Sequence, residues 1–113
     1  MSIDLSSKTN IKPTFPATEI RACLEEELIN IVESRAGILG QILPKAPAAI
    51  VTTPFPIDSL DVVEILCKID ELVGSEVPQS VVKAGGYDAI DKAIEHLMPR
   101  IEAVWKKQKG GVS

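Results

Sequence analysis

The segment from Ile57 to Ile65, which reads IDSLDVVEI, decides how the fold of this chain is interpreted. From this segment onward, apolar residues recur at the three- and four-residue spacing of an amphipathic helix: Leu60, Val63, Leu66, Ile69 and Val73. Asp58 is a favourable N-cap residue, and Asp61 lies in the first turn, where the helix dipole favours negative charge. We therefore predict a helix that begins at Asp58, carries Ser59 in its first turn and ends at Gly74, since glycine commonly closes a helix.

The chain before this segment predicts one long helix. The helical pattern begins at Thr18, and its apolar positions are Ile20, Leu24, Leu28, Ile31 and Val32. We expect this helix to end near Ala36–Gly37. A second apolar group would add a turn before Pro44; its members are Ile38, Leu39, Ile42 and Leu43.

Residues 44–57 predict a long crossover loop between this helix and the helix that begins at Asp58. The stretch contains four prolines, which are too many for the interior of a helix. Four apolar side chains are available to attach the loop to the core: Ile50, Val51, Phe55 and Ile57.

The chain after Gly74 predicts one short and one long helix. Residues 78–86 have room only for a short helix before Gly85–Gly86 interrupts it. The last helix starts near Tyr87 and has apolar positions at Ile90, Ile94, Leu97, Ile101 and Val104. Its spacing continues through Pro99, which predicts one kinked or two-part helix.

Together these segments predict an all-α protein. Its fold would be a bundle of three main helices and one short helix, with a long loop between the first and second main helices. Because no segment alternates like a strand, we expect no sheet. We assign residues 1–16 to a flexible lead-in, 17–107 to the bundle with a C-terminal helical extension, and 108–113 to a flexible tail.

Length and composition narrow the function class. A chain of 113 residues has the size of one domain, and its net charge of −4 argues against nucleic acid as a partner. Because no apolar run approaches about 20 residues and the N-terminus is polar, we expect no stable membrane insertion and a cytoplasmic protein. Cys23 and Cys67 lie in apolar helical patterns, so we expect buried free thiols rather than a disulfide.

The ordered set of motifs around Ser59 resembles the acyl carrier protein family. Asp-Ser-Leu alone is an ordinary helix start, but here it follows a long loop and opens an amphipathic helix. The match consists of Asp58-Ser59-Leu60-Asp61, then Val63-Glu64-Ile65, then Glu76-Val77-Pro78 at the family's usual distance from the serine. It covers about residues 18–98 and is strongest over 57–78.

The resemblance implies a non-enzymatic function centred on Ser59. In the family this serine carries 4′-phosphopantetheine, donated by coenzyme A, and the arm's thiol holds acyl groups as thioesters. A phosphopantetheinyl transferase would attach the arm. Acyl-loading, acyl-transferring or condensing enzymes with basic docking patches would then bind an acidic face of this helix. The expected recognition residues are Asp58, Leu60, Asp61, Val63 and Glu64, of which Asp61 and Glu64 should point outward. Such a carrier is expected to be monomeric.

Several features depart from the general fatty-acid carrier and suggest dedicated enzymes. The stretch Pro54-Phe55-Pro56-Ile57 stands where the family usually has an acidic Asp-Leu-Gly sequence. Residues 79–83 are mostly neutral, whereas the family's third helix is commonly acidic. A C-terminal extension carries Trp105, which we expect to pack back on the bundle; the alternative is that it marks an added partner surface. We therefore interpret the chain as a specialised acyl carrier.

Two other functions stay open, and the residues argue against a third, a serine hydrolase. An aminoacyl or peptidyl carrier is a close variant, and a carrier-fold adaptor with an unmodified Ser59 is the contrasting class. A serine hydrolase would require His96, the only histidine, to meet Ser59, which also lacks the Gly-x-Ser-x-Gly elbow.

Overall fold

The structure, a computed structural model, describes residues 14–111 of the chain and the side chains of residues 14–108. It contains four α-helices: α1 (Ala17–Leu39), α2 (Pro47–Thr52), α3 (Ser59–Val73) and α4 (Ile90–Gly111). A 3-10 helix, Gln79–Val81, lies between α3 and α4. The described residues form no strand, and only an isolated antiparallel bridge joins Ile57 to Tyr87. The predicted all-α class is confirmed, although residues 1–13 of the predicted lead-in lie outside the described residues.

The helices pack around one aliphatic core. α1 contacts both α3 and α4, and α2 lies against α1 and α4. Each long helix contributes a stripe of fully buried side chains, including Leu24 and Leu28 from α1, Val62 and Ile69 from α3, and Leu97 and Ile101 from α4. Burial of this apolar stripe on each helix is what holds the bundle together. No helix in the described part of the chain has the length and apolarity needed to cross a bilayer.

α1 continues beyond its predicted end. It runs three residues past Ala36 and closes at Gly40, whose φ of 74° is left-handed and whose N–H points to the carbonyls of Ala36 and Gly37. The predicted end at Ala36–Gly37 was therefore wrong, because Gly37 lies inside the helix. Ile38 and Leu39 belong to this last turn and are 82% and 69% exposed, while Ile42 is 94% exposed in the following loop.

The crossover between α1 and α3 contains a helix that the proline count had excluded. Pro47 occupies the first turn of α2, where its missing N–H has no intrahelical partner to lose. The expected anchors hold nevertheless: Ile50, Phe55 and Ile57 are buried, and Val51 is half-buried. The prolines thus limit α2 to six residues rather than preventing it.

The C-terminal half agrees with the predicted pattern except at its boundaries. α4 is one helix that contains Pro99, so the prediction of one helix rather than two separate ones is confirmed, and its predicted kink stays a prediction. It begins at Ile90 because Tyr87 belongs to the bridge with Ile57. It extends to Gly111, so residues 108–111 are helical rather than part of a tail. Trp105 is buried, and its ring lies 5.7 Å from that of Phe15, which confirms that the extension packs on the bundle.

Candidate functional site

Ser59 is the first residue of α3, and Asp58 caps this helix as predicted. Asp58 has extended backbone angles, and its Oδ1 accepts a hydrogen bond from the Leu60 N–H at 3.0 Å. Its carbonyl accepts from the Asp61 N–H at 3.1 Å. This cap fixes the first turn of α3, and the helix ends at Gly74 with a left-handed φ of 87°.

The Ser59 side chain is half-buried, and within residues 14–108 its hydroxyl has no hydrogen-bond partner. The structure does not pair it with His96. The His96 Nδ1 instead lies 2.8 Å from the hydroxyl oxygen of Tyr87. Ser59 is therefore a partly exposed, unactivated hydroxyl near the N-terminus of a 15-residue helix.

A second chain segment fixes the backbone that leads into Ser59. Ile57 and Tyr87 exchange two backbone hydrogen bonds of 2.8 and 2.9 Å, and the Phe55 N–H donates to the Asp88 carbonyl at 2.7 Å. Gly86, with φ of +84°, packs so closely that a Cβ there would collide with the Ile57 carbonyl oxygen and lie 3.1 Å from the Ser59 nitrogen. From the sequence, Gly85–Gly86 was predicted only to interrupt a helix; the paired glycines were the signal for this close contact.

The acidic face of α3 is partly neutralised by α1. The Arg35 guanidinium contacts both carboxylate oxygens of Asp61, with Nη2–Oδ1 at 2.9 Å and Nη1–Oδ2 at 2.7 Å. The Asp61 side chain is only 17% exposed. Contrary to the prediction, Asp61 does not point outward as a free charge.

The other predicted recognition residues differ in accessibility. Asp58 and Glu64 are exposed carboxylates, whereas Val63 is half-buried. Leu60 was counted among the apolar positions of the predicted helix, but it is 69% exposed and lies outside the core. Asp58, Leu60 and Glu64 are thus accessible to a partner around Ser59.

An open groove of about 450 Å³ adjoins the entry to α3. Its lining includes Ile57 and Asp58, the two residues that precede Ser59, together with Arg35, Leu39, Pro56 and Tyr87. The groove therefore offers a mostly apolar wall and one cation beside the serine. In the described part of the chain, no group of three or more His, Cys, Asp or Glu residues is arranged to hold a metal ion.

The pKa values of two neighbouring side chains, Tyr87 and His96, are shifted from their ordinary values. The Tyr87 hydroxyl oxygen accepts a hydrogen bond from the Lys83 N–H at 2.9 Å and lies within hydrogen-bond distance of His96 Nδ1, at 2.8 Å. Partial burial lowers the pKa of His96, and the positive charges of Arg100 and Lys83 lower it further. Burial raises the pKa of Tyr87. The lowered pKa favours the neutral imidazole of His96.

The cysteines do not form a site. Cys23 is half-buried, and burial followed by the charge of Glu27 raises the pKa of its thiol. Cys67 is exposed, so the prediction of two buried thiols was wrong for this residue. Its position in an apolar pattern did not place it on the buried face of α3.

Comparisons of the chain with protein-family models, with curated proteins and with solved structures found no match.

Proposed function

We propose that this protein is a specialised acyl carrier that holds a 4′-phosphopantetheine arm on Ser59 and acyl groups as thioesters on that arm. The observation that carries the proposal is the Ser59 hydroxyl, which is accessible and unpartnered in the first turn of α3. A phosphodiester attached there would lie near the positive end of the helix dipole. The resemblance of residues 57–78 to the acyl carrier family supplies the identity of the arm.

The surroundings of Ser59 suit a residue that is modified by another enzyme. Its Oγ would attack coenzyme A at the phosphorus that bears the pantetheine arm, the phosphoanhydride bond would break, and 3′,5′-ADP would leave. The hydroxyl proton would pass to a base of the transferase, so this chain needs no base of its own. The backbone contacts at Ile57 and Gly86 would hold the attachment point in one position for each partner.

The accessible residues indicate how partners would dock. Asp58 and Glu64 are exposed carboxylates that would steer a basic patch toward Ser59, and Leu60 would add an apolar contact. Asp61 would contribute less charge than its position suggests, because Arg35 already pairs with it. We expect the carrier to act as a cytoplasmic monomer that visits several enzymes.

An adaptor with an unmodified Ser59 is the second candidate. The observation in its favour is the set of large apolar side chains exposed at the end of α1, in the following loop and at the start of α3: Ile38, Leu39, Ile42 and Leu60. Exposed apolar clusters mark surfaces that bind other proteins. Such binding would need no arm.

Intact mass measurement separates the two candidates. The purified chain is incubated with coenzyme A and a broad-specificity phosphopantetheinyl transferase, alongside Ser59→Ala and Ser80→Ala. Ser80 is a matched control because it is an exposed serine in the short 3-10 helix. We expect one phosphopantetheine group on the wild type and on Ser80→Ala, and none on Ser59→Ala. A folded, initially unmodified chain that gains no mass would favour the adaptor.

A further inference from the structure

We propose that the groove between residues 83–88 and α4 binds the phosphate group of a small molecule. This groove has a volume of about 460 Å³ and lies across Tyr87 and Asp88 from the groove beside Ser59. Its walls carry Lys83, Lys92, His96 and Arg100. The proposal does not depend on the modification of Ser59.

The cations of this groove are among those in residues 14–108 that form no ion pair with a carboxylate. Four lysines and arginines within residues 14–108 form ion pairs with carboxylates: Arg21, Arg35, Lys68 and Lys106. Of the five that do not, three line this one groove, and the remaining two are Lys45 and Lys107. On a chain with a net charge of −4, such a concentration of unpaired cations in one concave surface points to an anionic ligand.

The histidine adds an imidazole ring to the same groove, and its Nδ1 is held 2.8 Å from the Tyr87 hydroxyl oxygen. Arg100 is also fixed, since its Nη1 donates to the His96 carbonyl oxygen at 2.9 Å. The groove thus combines two ammonium groups, a restrained guanidinium and an imidazole.

This donor set fits a phosphate better than a single carboxylate. A phosphate monoester presents three strong acceptor oxygens and up to two negative charges, and guanidinium groups bind it with two parallel hydrogen bonds. Asp88 and Glu95 also line the groove and leave it with one net positive charge. This modest excess fits one compact phosphate, rather than an extended polyanion whose many charges need a long basic surface.

Nuclear magnetic resonance of the full chain, titrated with inorganic pyrophosphate at constant ionic strength, tests the proposal. We expect saturable shifts at the Lys83 and Tyr87 amides and at the His96 ring. We also expect the His96 pKa to rise when the anion is bound, since it offsets the neighbouring charges of Lys83, Lys92 and Arg100 and adds to those of Asp88 and Glu95. Tyr87, the remaining titratable neighbour, stays protonated throughout the pH range used.

Matched variants decide whether the shifts report this groove. Arg100→Gln should weaken binding by about fivefold or more, because it removes a charge-assisted contact. Lys107→Gln is the control, since Lys107 is an exposed, unpaired cation of the same helix outside the groove, and it should leave binding unchanged. Circular dichroism verifies that both variants are folded. Shifts that do not saturate, that chloride reproduces, or that both variants weaken equally would overturn the proposal.

Discussion

Gly86 is the residue whose replacement should most directly disturb the surroundings of Ser59. A Cβ at this position would collide with the Ile57 carbonyl, and its φ of +84° is unfavourable for any residue with a side chain. We expect Gly86→Ala to lower the free energy of unfolding by about 2 to 4 kcal/mol, because backbone strain and a clash with the main chain add together.

Gly85 provides the matched control for that substitution. Its φ of +90° is similar, but a Cβ there would meet no atom within 4 Å. Gly85→Ala should therefore lose only the strain contribution, about 1 kcal/mol. Urea denaturation measures both variants, and equal losses would show that the contact with Ile57 contributes nothing.

At the scale of single residues, contacts between close neighbours in the sequence were predictable, and the ion pair between distant residues was not. The cap at Asp58 and the closure at Gly74 depend on neighbours two to four residues away, so the sequence was enough to identify them. The Arg35–Asp61 pair joins residues 26 apart. Helical periodicity alone does not show which charged residue on another helix faces Asp61, and the predicted outward orientation failed for that reason.

At the scale of helices, the Arg35–Asp61 contact links the end of α1 to the start of α3. One charge-assisted hydrogen bond of 2.9 Å to Oδ1, a second N–O ion contact of 2.7 Å to Oδ2 and a mostly shielded carboxylate make it stronger than an ordinary surface pair. A double-mutant cycle with Arg35→Gln and Asp61→Asn should give a coupling free energy of about 1 kcal/mol. High salt should reduce this coupling only in part, since the pair is partly buried.

The Arg21–Glu25 pair is the internal reference for this cycle. It joins residues four apart on one helix, its N–O distance is 3.5 Å, and both side chains are more exposed than Asp61. Its coupling should be about 0.3 to 0.5 kcal/mol. Coupling at Arg35–Asp61 no larger than at this reference would mean that the contact does not hold α1 and α3 together.

Helix identities were easier to predict than helix ends. The apolar spacing located α1, α3 and α4 because burial of one stripe repeats over many turns. Either Gly37 or Gly40 could have ended α1, and it is Gly40 that takes the left-handed conformation. α2 was missed because six residues give too little periodicity, and a proline at the first position was counted as a helix breaker.

At the scale of the whole molecule, the lowered pKa of His96 predicts how stability depends on pH. The pKa of His96 is lowered from its ordinary value of 6.5 by burial and by Arg100 and Lys83, so the folded state binds its proton less readily than the unfolded state. The contribution of neutral His96 to the free energy of unfolding is complete above pH 6.5. It is lost as pH falls through 6.5 toward the lower pKa that His96 has in the folded state.

The groups that face His96 set the design of this measurement. The Tyr87 hydroxyl oxygen lies 2.8 Å from His96 Nδ1, and five charged residues line the same groove: Lys83, Lys92, Arg100, Asp88 and Glu95. The informative quantity is the difference in unfolding free energy between the wild type and His96→Gln, because it removes contributions that the two proteins share. Urea denaturation from pH 8 to pH 5, in buffers without phosphate, provides this difference.

As pH falls below 6.5, we expect the free energy of unfolding of the wild type to fall relative to that of His96→Gln. Only the wild type has an imidazole that binds a proton more readily in the unfolded state than in the folded state. Saturating pyrophosphate should make the shift smaller, since an anion in the groove stabilises the imidazolium. A difference that stays constant with pH would mean that His96 is solvated well enough to protonate equally in both states. In that case the groove would hold its cations without influencing the imidazole of His96 in its wall.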